Sequence, residues 1–146
     1  MSGTLLDPHD EVHAKALGML ERDQIAWIVT TTASGEPRAV PVWFLWHEGR
    51  VVILTRPDSA KVAHIRRGSA VLVHLQAGGP FGDDVVVLRG PAVIADRSTR
   101  EWLEETREAY VAKYAAAIEA YGMPLDDIAA SFSTVIELVP EHVTAW

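Results

Sequence analysis

Apolar positions along the chain change period several times, and each change predicts a new element. Val12, Ala16, Leu17 and Leu20 recur at helical spacing and predict a short helix over residues 9–22, with Asp7, Pro8 and Asp10 offering a stop and cap before it. Residues 25–33, IAWIVTTTA, are β-branched or aromatic almost throughout and predict a strand buried on both faces. After the turn Ser34-Gly35-Glu36-Pro37, residues 38–47 form a second strand, both of whose faces are largely apolar and so expected to be covered. Glu48-Gly49 closes a hairpin into a third strand, residues 50–56, and so short a connection demands antiparallel pairing. Pro57-Asp58 opens a helix to residue 67, with Val62, Ala63 and Ile65 inward and His64 beside them. Val71, Val73 and Leu75 alternate with Leu72 and His74 in a fourth strand over 69–76. A mobile loop over 77–82 leads into a fifth strand, 84–95, which bends at Gly90-Pro91 because proline cannot complete a central ladder.

Ser98-Thr99-Arg100-Glu101 is a capping box, and the helix it opens runs to residue 121. Trp102, Thr106, Tyr110, Tyr114, Ile118 and Tyr121 make a stripe along it, a spacing that more often marks core packing than a cofactor site. Gly122-Met123-Pro124 ends the helix, 125–130 adds a further turn, and a last strand covers 133–139, extended past Pro140 by 142–146. Three strands on short connections, with no regular strand–helix alternation afterwards, predict a mainly β domain spanning residues 1–146: a mostly antiparallel barrel with peripheral helices, and a long helix before the final strand. Strand corners such as Gly90-Pro91 are how a sheet closes on itself.

Composition narrows the function. The chain has 146 residues, no cysteine and a net charge of −7. That excludes a disulfide framework, a thiolate metal site and a thiol nucleophile, and argues against a general nucleic-acid or anionic-membrane binder. No apolar run approaches the roughly 18 residues of a membrane span, and residues 1–12 lack the basic flank and apolar core of a secretory signal, so a cytoplasmic location is expected. The charge is uneven. Residues 38–89 hold seven Lys/Arg against four Asp/Glu, a net of +3, while the remainder carries −10. A basic centre in an acidic shell suits one small anionic ligand, although solvated acids on helix surfaces would give the same count.

Two stretches carry candidate chemistry. Thr55-Arg56-Pro57-Asp58-Ser59-Ala60-Lys61 sets hydroxyls and two cations around a helix start, where free backbone N–H groups favour a phosphate or carboxylate; the plainer reading is that Asp58 caps the helix and the cations are solvated. Lysine is scarce, three against ten arginines, which draws attention to Lys61. Val40-Pro41-Val42-Trp43 offers an apolar wall for a flat ring, and a proline that frees neighbouring backbone groups; it equally describes a core tryptophan beside an edge proline. Walker, dinucleotide-fold and GxSxG signatures are missing. His9 and His13 stand four apart on the first helix without a third ligand, so no metal is expected, and His47 and His74 are strand residues suited to a barrel interior or a pocket wall.

With these motifs in place, the run AWIVTTTASGEPRAVPVWFLWHEGRVVILT, the helix start DSAKVAHIRRG, and the strands SAVLVHLQ and VVVLRGPAVIAD resemble the pyridoxamine 5′-phosphate oxidase-like FMN-binding split barrels. The likeness is closest to their actinobacterial branch that uses the deazaflavin coenzyme F420, and it covers about residues 20–96 and the final strand. It implies a six-stranded antiparallel split β-barrel working as a homodimer with cofactor sites at the subunit interface. The ring would lie against Val40, Pro41, Val42 and Trp43. Arg56, Ser59 and Lys61 would hold the phosphate with Thr55 beside them, Arg38 would face the tail, and the partner chain would contribute from around Gln76 to Phe81. The implied activity is hydride transfer between F420 and a small conjugated substrate, with no catalytic residue assigned. The alternatives are an FMN-dependent oxidoreductase of the same fold, a non-catalytic F420 or flavin carrier, or a haem-binding barrel with His47 or His74 as axial ligand.

Overall fold

The computed structural model describes residues 5–146. Its elements follow the sequence pattern with three systematic departures. Helix α1 (Glu11–Arg22) starts after an Asp10 cap whose carboxylate accepts from the His13 N–H. Strand β1 (Ile25–Thr31) alternates: Ala26, Ile28 and Thr30 point inward, while Trp27, Val29 and Thr31 are only half-buried. Expected burial on both faces is therefore corrected to burial on one.

The second departure is that three expected strands each break into two. Residues 38–47 become β2 (Pro37–Trp43) and β3 (Leu45–His47), separated at Phe44. Strand β4 (Arg50–Thr55) follows, then helix α2 (Ala60–Arg66) and strand β5 (Val71–Leu75). The fifth expected strand becomes β6 (Val86–Gly90) and β7 (Ala92–Ile94), broken at Pro91 as its missing N–H requires. After α3 (Thr99–Tyr121) and α4 (Leu125–Ser131), the last becomes β8 (Thr134–Leu138) and β9 (His142–Ala145).

These breaks close the barrel. One sheet runs β2-β1-β5-β6-β9 and the other β3-β4-β8-β7, all pairs antiparallel. Each broken strand leaves one sheet and enters the other. Counted as continuous strands, the nine segments among the described residues reduce to six, and their pairings form a closed ring. The fold is the mainly β split barrel with peripheral helices that the sequence predicts. At one corner Gly90 packs so closely that a methyl group there would sit 2.0 Å from the Val139 carbonyl oxygen, so only glycine fits.

The third departure concerns coverage. Phe44, Val51, Ile53, Val73, Leu88 and Ile136 fill the barrel interior, and Met19 and Leu20 of α1 and Val62 and Ile65 of α2 join the same core. A second core lies outside the four-stranded sheet, where Leu45, Val52 and Val135 meet Trp102, Leu103, Tyr110 and Tyr114 of α3. The continuous apolar run of β4 serves both: Val51 and Ile53 face the barrel, Val52 and Leu54 the helix. Helix α3 holds the capping box at Ser98 and Glu101, and ends on Gly122 in the left-handed conformation. By contrast β2 is an edge strand with Pro37–Pro41 exposed, which corrects the expectation that both its faces are covered. Among the described residues, no helix is long and apolar enough to cross a membrane.

Candidate functional site

Where the four-stranded sheet, β2 and α3 meet, a cavity of about 380 Å³ opens. Its floor is Ile25, Pro41, Val42 and Trp43 of the paired β1 and β2; its side is Leu54, Thr55 and Lys61; its roof is Tyr110, Tyr121, Ile128 and Phe132 of the α3–α4 hairpin. The lining is almost wholly apolar and aromatic, with the polar groups concentrated at one corner, the build of a small-molecule site.

Trp43 forms a rigid wall for a physical reason. Its indole stacks on Tyr114 at 4.8 Å between centroids and 9° between planes, and Tyr121 meets it edge-on at 6.1 Å. Tyr114 is fully buried, and its hydroxyl accepts from the Phe44 N–H at 2.8 Å while donating to the Gln24 carbonyl at 2.5 Å. Phe44 is the residue at which β2 gives way to β3. The strand break frees a backbone donor, and the tyrosine satisfies it, so the same side chain that pins α3 to the corner also backs the indole.

The polar corner is built by the end of β4 and the start of α2. Thr55 is buried, and its hydroxyl donates to the Ser59 hydroxyl at 3.2 Å. Ser59, not Asp58, is the helix cap residue, and its side chain makes no cap bond; the reading of Asp58 as the cap is corrected. Lys61 projects half-buried into the cavity, and among the described residues no carboxylate lies within ion-pairing distance of it. Burial alone pushes its pKa below the usual lysine value. A cation stripped of water without a counter-ion is an anion site by electrostatics. The Arg56 guanidinium stands 5.0 Å over the ring of Phe132, another wall residue.

Five of the expected positions, Pro41, Val42, Trp43, Thr55 and Lys61, thus line one cavity, and Ser59 and Arg56 adjoin it through Thr55 and Phe132. Val40, Arg38 and Gln76 lie outside it. Val40 is exposed on β2. Arg38 sits at the far end of the strand, opposite Thr30, 3.6 Å from Glu36. Gln76 is exposed just past β5. Neither His47 nor His74 lines the cavity: His47 packs edge-on to Trp102, and His74 stacks on Trp27 with Nδ1 donating to the Leu75 carbonyl. The individual roof residues escaped sequence reasoning because Tyr110 and Tyr121 fall on a stripe that reads as core, as Trp102, Thr106 and Tyr114 indeed are. A signal was present: all three tyrosines of the chain fall on this one helix.

Solved structures share this architecture at low identity. A conserved hypothetical protein from Mycobacterium tuberculosis matches at a TM-score of 0.71 with 18% identity, over 100% of this chain and 89% of that one. A protein described as an F420 reductase matches at 0.63 with 19% identity, over 87% and 94%. The haem storage protein HutZ from Vibrio cholerae matches at 0.66 with 13% identity, over 93% and 95%. At such identities the likeness concerns the fold alone. Among curated proteins no relative matches. The family model described as pyridoxamine 5′-phosphate oxidase matches residues 12–146, so with its closed six-strand ring and its cavity against β2 the chain belongs to the pyridoxamine 5′-phosphate oxidase family.

Proposed function

We propose that this protein is an F420-dependent oxidoreductase acting on a small conjugated substrate, working as a homodimer in the cytoplasm. The observation that carries the reading is Lys61: a partly dehydrated cation with no carboxylate partner among the described residues, sharing with Thr55 the polar corner of an otherwise apolar cavity walled by a clamped indole. A flat ring bearing an anionic tail matches that division of chemistry. The residues present therefore fit a flavin-type coenzyme. Trp43, Pro41 and Val42 would support the ring, and Lys61, Ser59, Thr55 and Arg56 the phosphate. When bound, the coenzyme supplies hydride transfer; the chain supplies position, an apolar enclosure and charge neutralisation. A neighbour of the same fold is named for F420, which supports the choice of deazaflavin.

FMN shares the ring region and phosphate, and other neighbours are named as FAD-binding proteins, so FMN is the second reading. The two differ in the tail: F420 carries extra carboxylates, for which Arg56, Arg66 or Arg38 would be needed. The dimer is supported by the five-stranded sheet, whose outer face exposes part of Trp27, Val29, Leu72 and Val87, with no element packed over them among the described residues.

Side-by-side titration of the purified protein with F420 and FMN tests the reading. Binding of F420 tighter than FMN is expected, with turnover on quinones or enones; a preparation that arrives yellow and loaded with FMN counts against F420, and tight F420 binding without turnover on any acceptor would make the protein a carrier. Lys61→Ala is expected to weaken binding by about 1.5–3 kcal/mol, the scale of a lost charge-assisted hydrogen bond. Unchanged affinity in that variant would remove the anion corner from the site.

A further inference from the structure

Tyr110 presents a feature that the ring-binding reading leaves unused. The residue is only 2% exposed, and its ring is held on two sides, edge-on to Trp102 at 5.9 Å and tilted against Tyr114 at 5.0 Å. Its neighbours Thr106 and Tyr114 both spend their hydroxyls on backbone groups, Thr106 on the Trp102 carbonyl and Tyr114 at the β2–β3 corner. The Tyr110 hydroxyl has no such partner among the described residues. Yet no fully enclosed side-chain oxygen or nitrogen in them is left unpartnered. The hydroxyl must therefore keep some open space beside it, and the opening that Tyr110 borders is the cavity.

Because the hydroxyl borders open space rather than being sealed in, its partner comes from outside the chain: solvent when the cavity is empty, and an acceptor on the ligand when one displaces that solvent. Burial, reinforced by the neighbouring Tyr114, pushes the phenol's pKa upward, so it remains neutral and keeps its proton. Neutral phenols are better donors than acceptors. Of the other polar groups around the cavity, Thr55 donates to Ser59, Lys61 is a cation suited to an anion, and Tyr121 is half-exposed, which leaves Tyr110 as the deeply buried neutral donor.

We propose that the Tyr110 hydroxyl donates a hydrogen bond to a carbonyl oxygen on the edge of a flat conjugated ring held in the cavity, an inference that rests on the ring-binding reading above. The flat shape follows from the Trp43 wall and the Tyr121 edge; the carbonyl follows from a lone deep donor in an apolar roof. The oxygen belongs either to the substrate or to the coenzyme ring itself, and the same donor serves both. It is a group that touches the ligand, in contrast to Tyr114, which acts only through Trp43.

The test compares wild type and Tyr110→Phe in three equilibrium titrations: with menadione, with 2-methylnaphthalene, which has the same bicycle without oxygens, and with F420 and FMN. Removing one neutral hydrogen bond is expected to weaken the carbonyl ligand about tenfold and leave 2-methylnaphthalene unchanged. A loss confined to menadione assigns the carbonyl to the substrate; a loss confined to the coenzyme assigns it to the coenzyme ring. Equal affinity of both proteins for menadione and for the coenzymes overturns the proposal, as does a wild-type protein that binds none of them. Should wild type bind menadione in a Tyr110-dependent way but neither coenzyme, the coenzyme reading falls and the donor stands. Thermal unfolding supplies a control: the variant is expected to be at least as stable as wild type, and a clear loss of stability would reveal an internal partner and defeat the inference.

Discussion

The two sheets of this barrel share three strands yet live in different surroundings. The four-stranded sheet is covered on both faces, by the barrel interior on one side and by α3 on the other. The five-stranded sheet is covered on one; its outer face leaves Trp27, Val29, Leu72 and His74 half-buried. The difference shows how one chain divides its labour. Helix α3 supplies the covered side with aromatic mass, and the cavity forms where that helix overhangs the edge of β2. The open side has spare apolar surface and, among the described residues, no helix over it, which makes it the face on which the proposed dimer would form.

Substitutions on the two sides sharpen that contrast. The largest effect is expected on the covered side. Trp102, 1% exposed at the centre of the outer core, should cost about 3–5 kcal/mol when changed to alanine, read as a fall in the denaturant midpoint. A cost below 1 kcal/mol would mean that α3 packs loosely and that the cavity roof is not fixed.

A smaller effect of a different kind belongs to the open side. Trp27→Glu should barely change the unfolding of the isolated barrel, since the side chain is half-exposed, but it should weaken self-association by about 2 kcal/mol or more, the scale of a central interface aromatic. Sedimentation at several concentrations reads this directly. A variant that self-associates as wild type does would place the interface elsewhere.

The smallest effect lies at the seam between the regions. The Lys113 ammonium donates to the Leu20 carbonyl at 3.3 Å and lies 3.6 Å from the Phe44 ring centroid. Burial pushes its pKa down to about 8, with the charge of Asp23 acting the other way. In the unfolded chain the group titrates near 10.4, so between about pH 8 and 10 the unfolded state binds more protons, and stability should rise with pH across that window. Below about pH 8 the folded protein carries the full cost of a dehydrated ammonium. Lys113→Met should flatten this slope in chemical denaturation measured across the window; an unaltered slope would assign the titration to another group.

Much of this was legible beforehand, and the failures are physically consistent. The capping box at Ser98, the stop at Gly122 and the corner at Pro91 were read because each is a local rule: a side chain bonding its own backbone, a residue free to turn left-handed, an amide without a proton. The break at Phe44 was not, because nothing in the strand itself forbids continuation; Tyr114, seventy residues on, supplies the bonds that make it tolerable. Asp58 looked the better cap by type, yet the chain turns one residue later and places Ser59 there, next to the Thr55 hydroxyl. Pro41, Trp43, Thr55 and Lys61 were named from chemistry carried within two short stretches, and they share one cavity. Tyr110, Tyr121, Ile128 and Phe132 were not, since a helical stripe looks the same whether it presses on a sheet or overhangs a space.

The order of residues by itself determined the elements, the corners enforced by proline and glycine, and the two stretches rich in ligand chemistry, because those properties arise between near neighbours in the chain. Only the tertiary structure decided which sheet has a bare face, which tyrosines border a cavity and that, among the described residues, no acid stands beside Lys61. Those are facts about enclosure, and enclosure depends on segments far apart in sequence arriving at the same place.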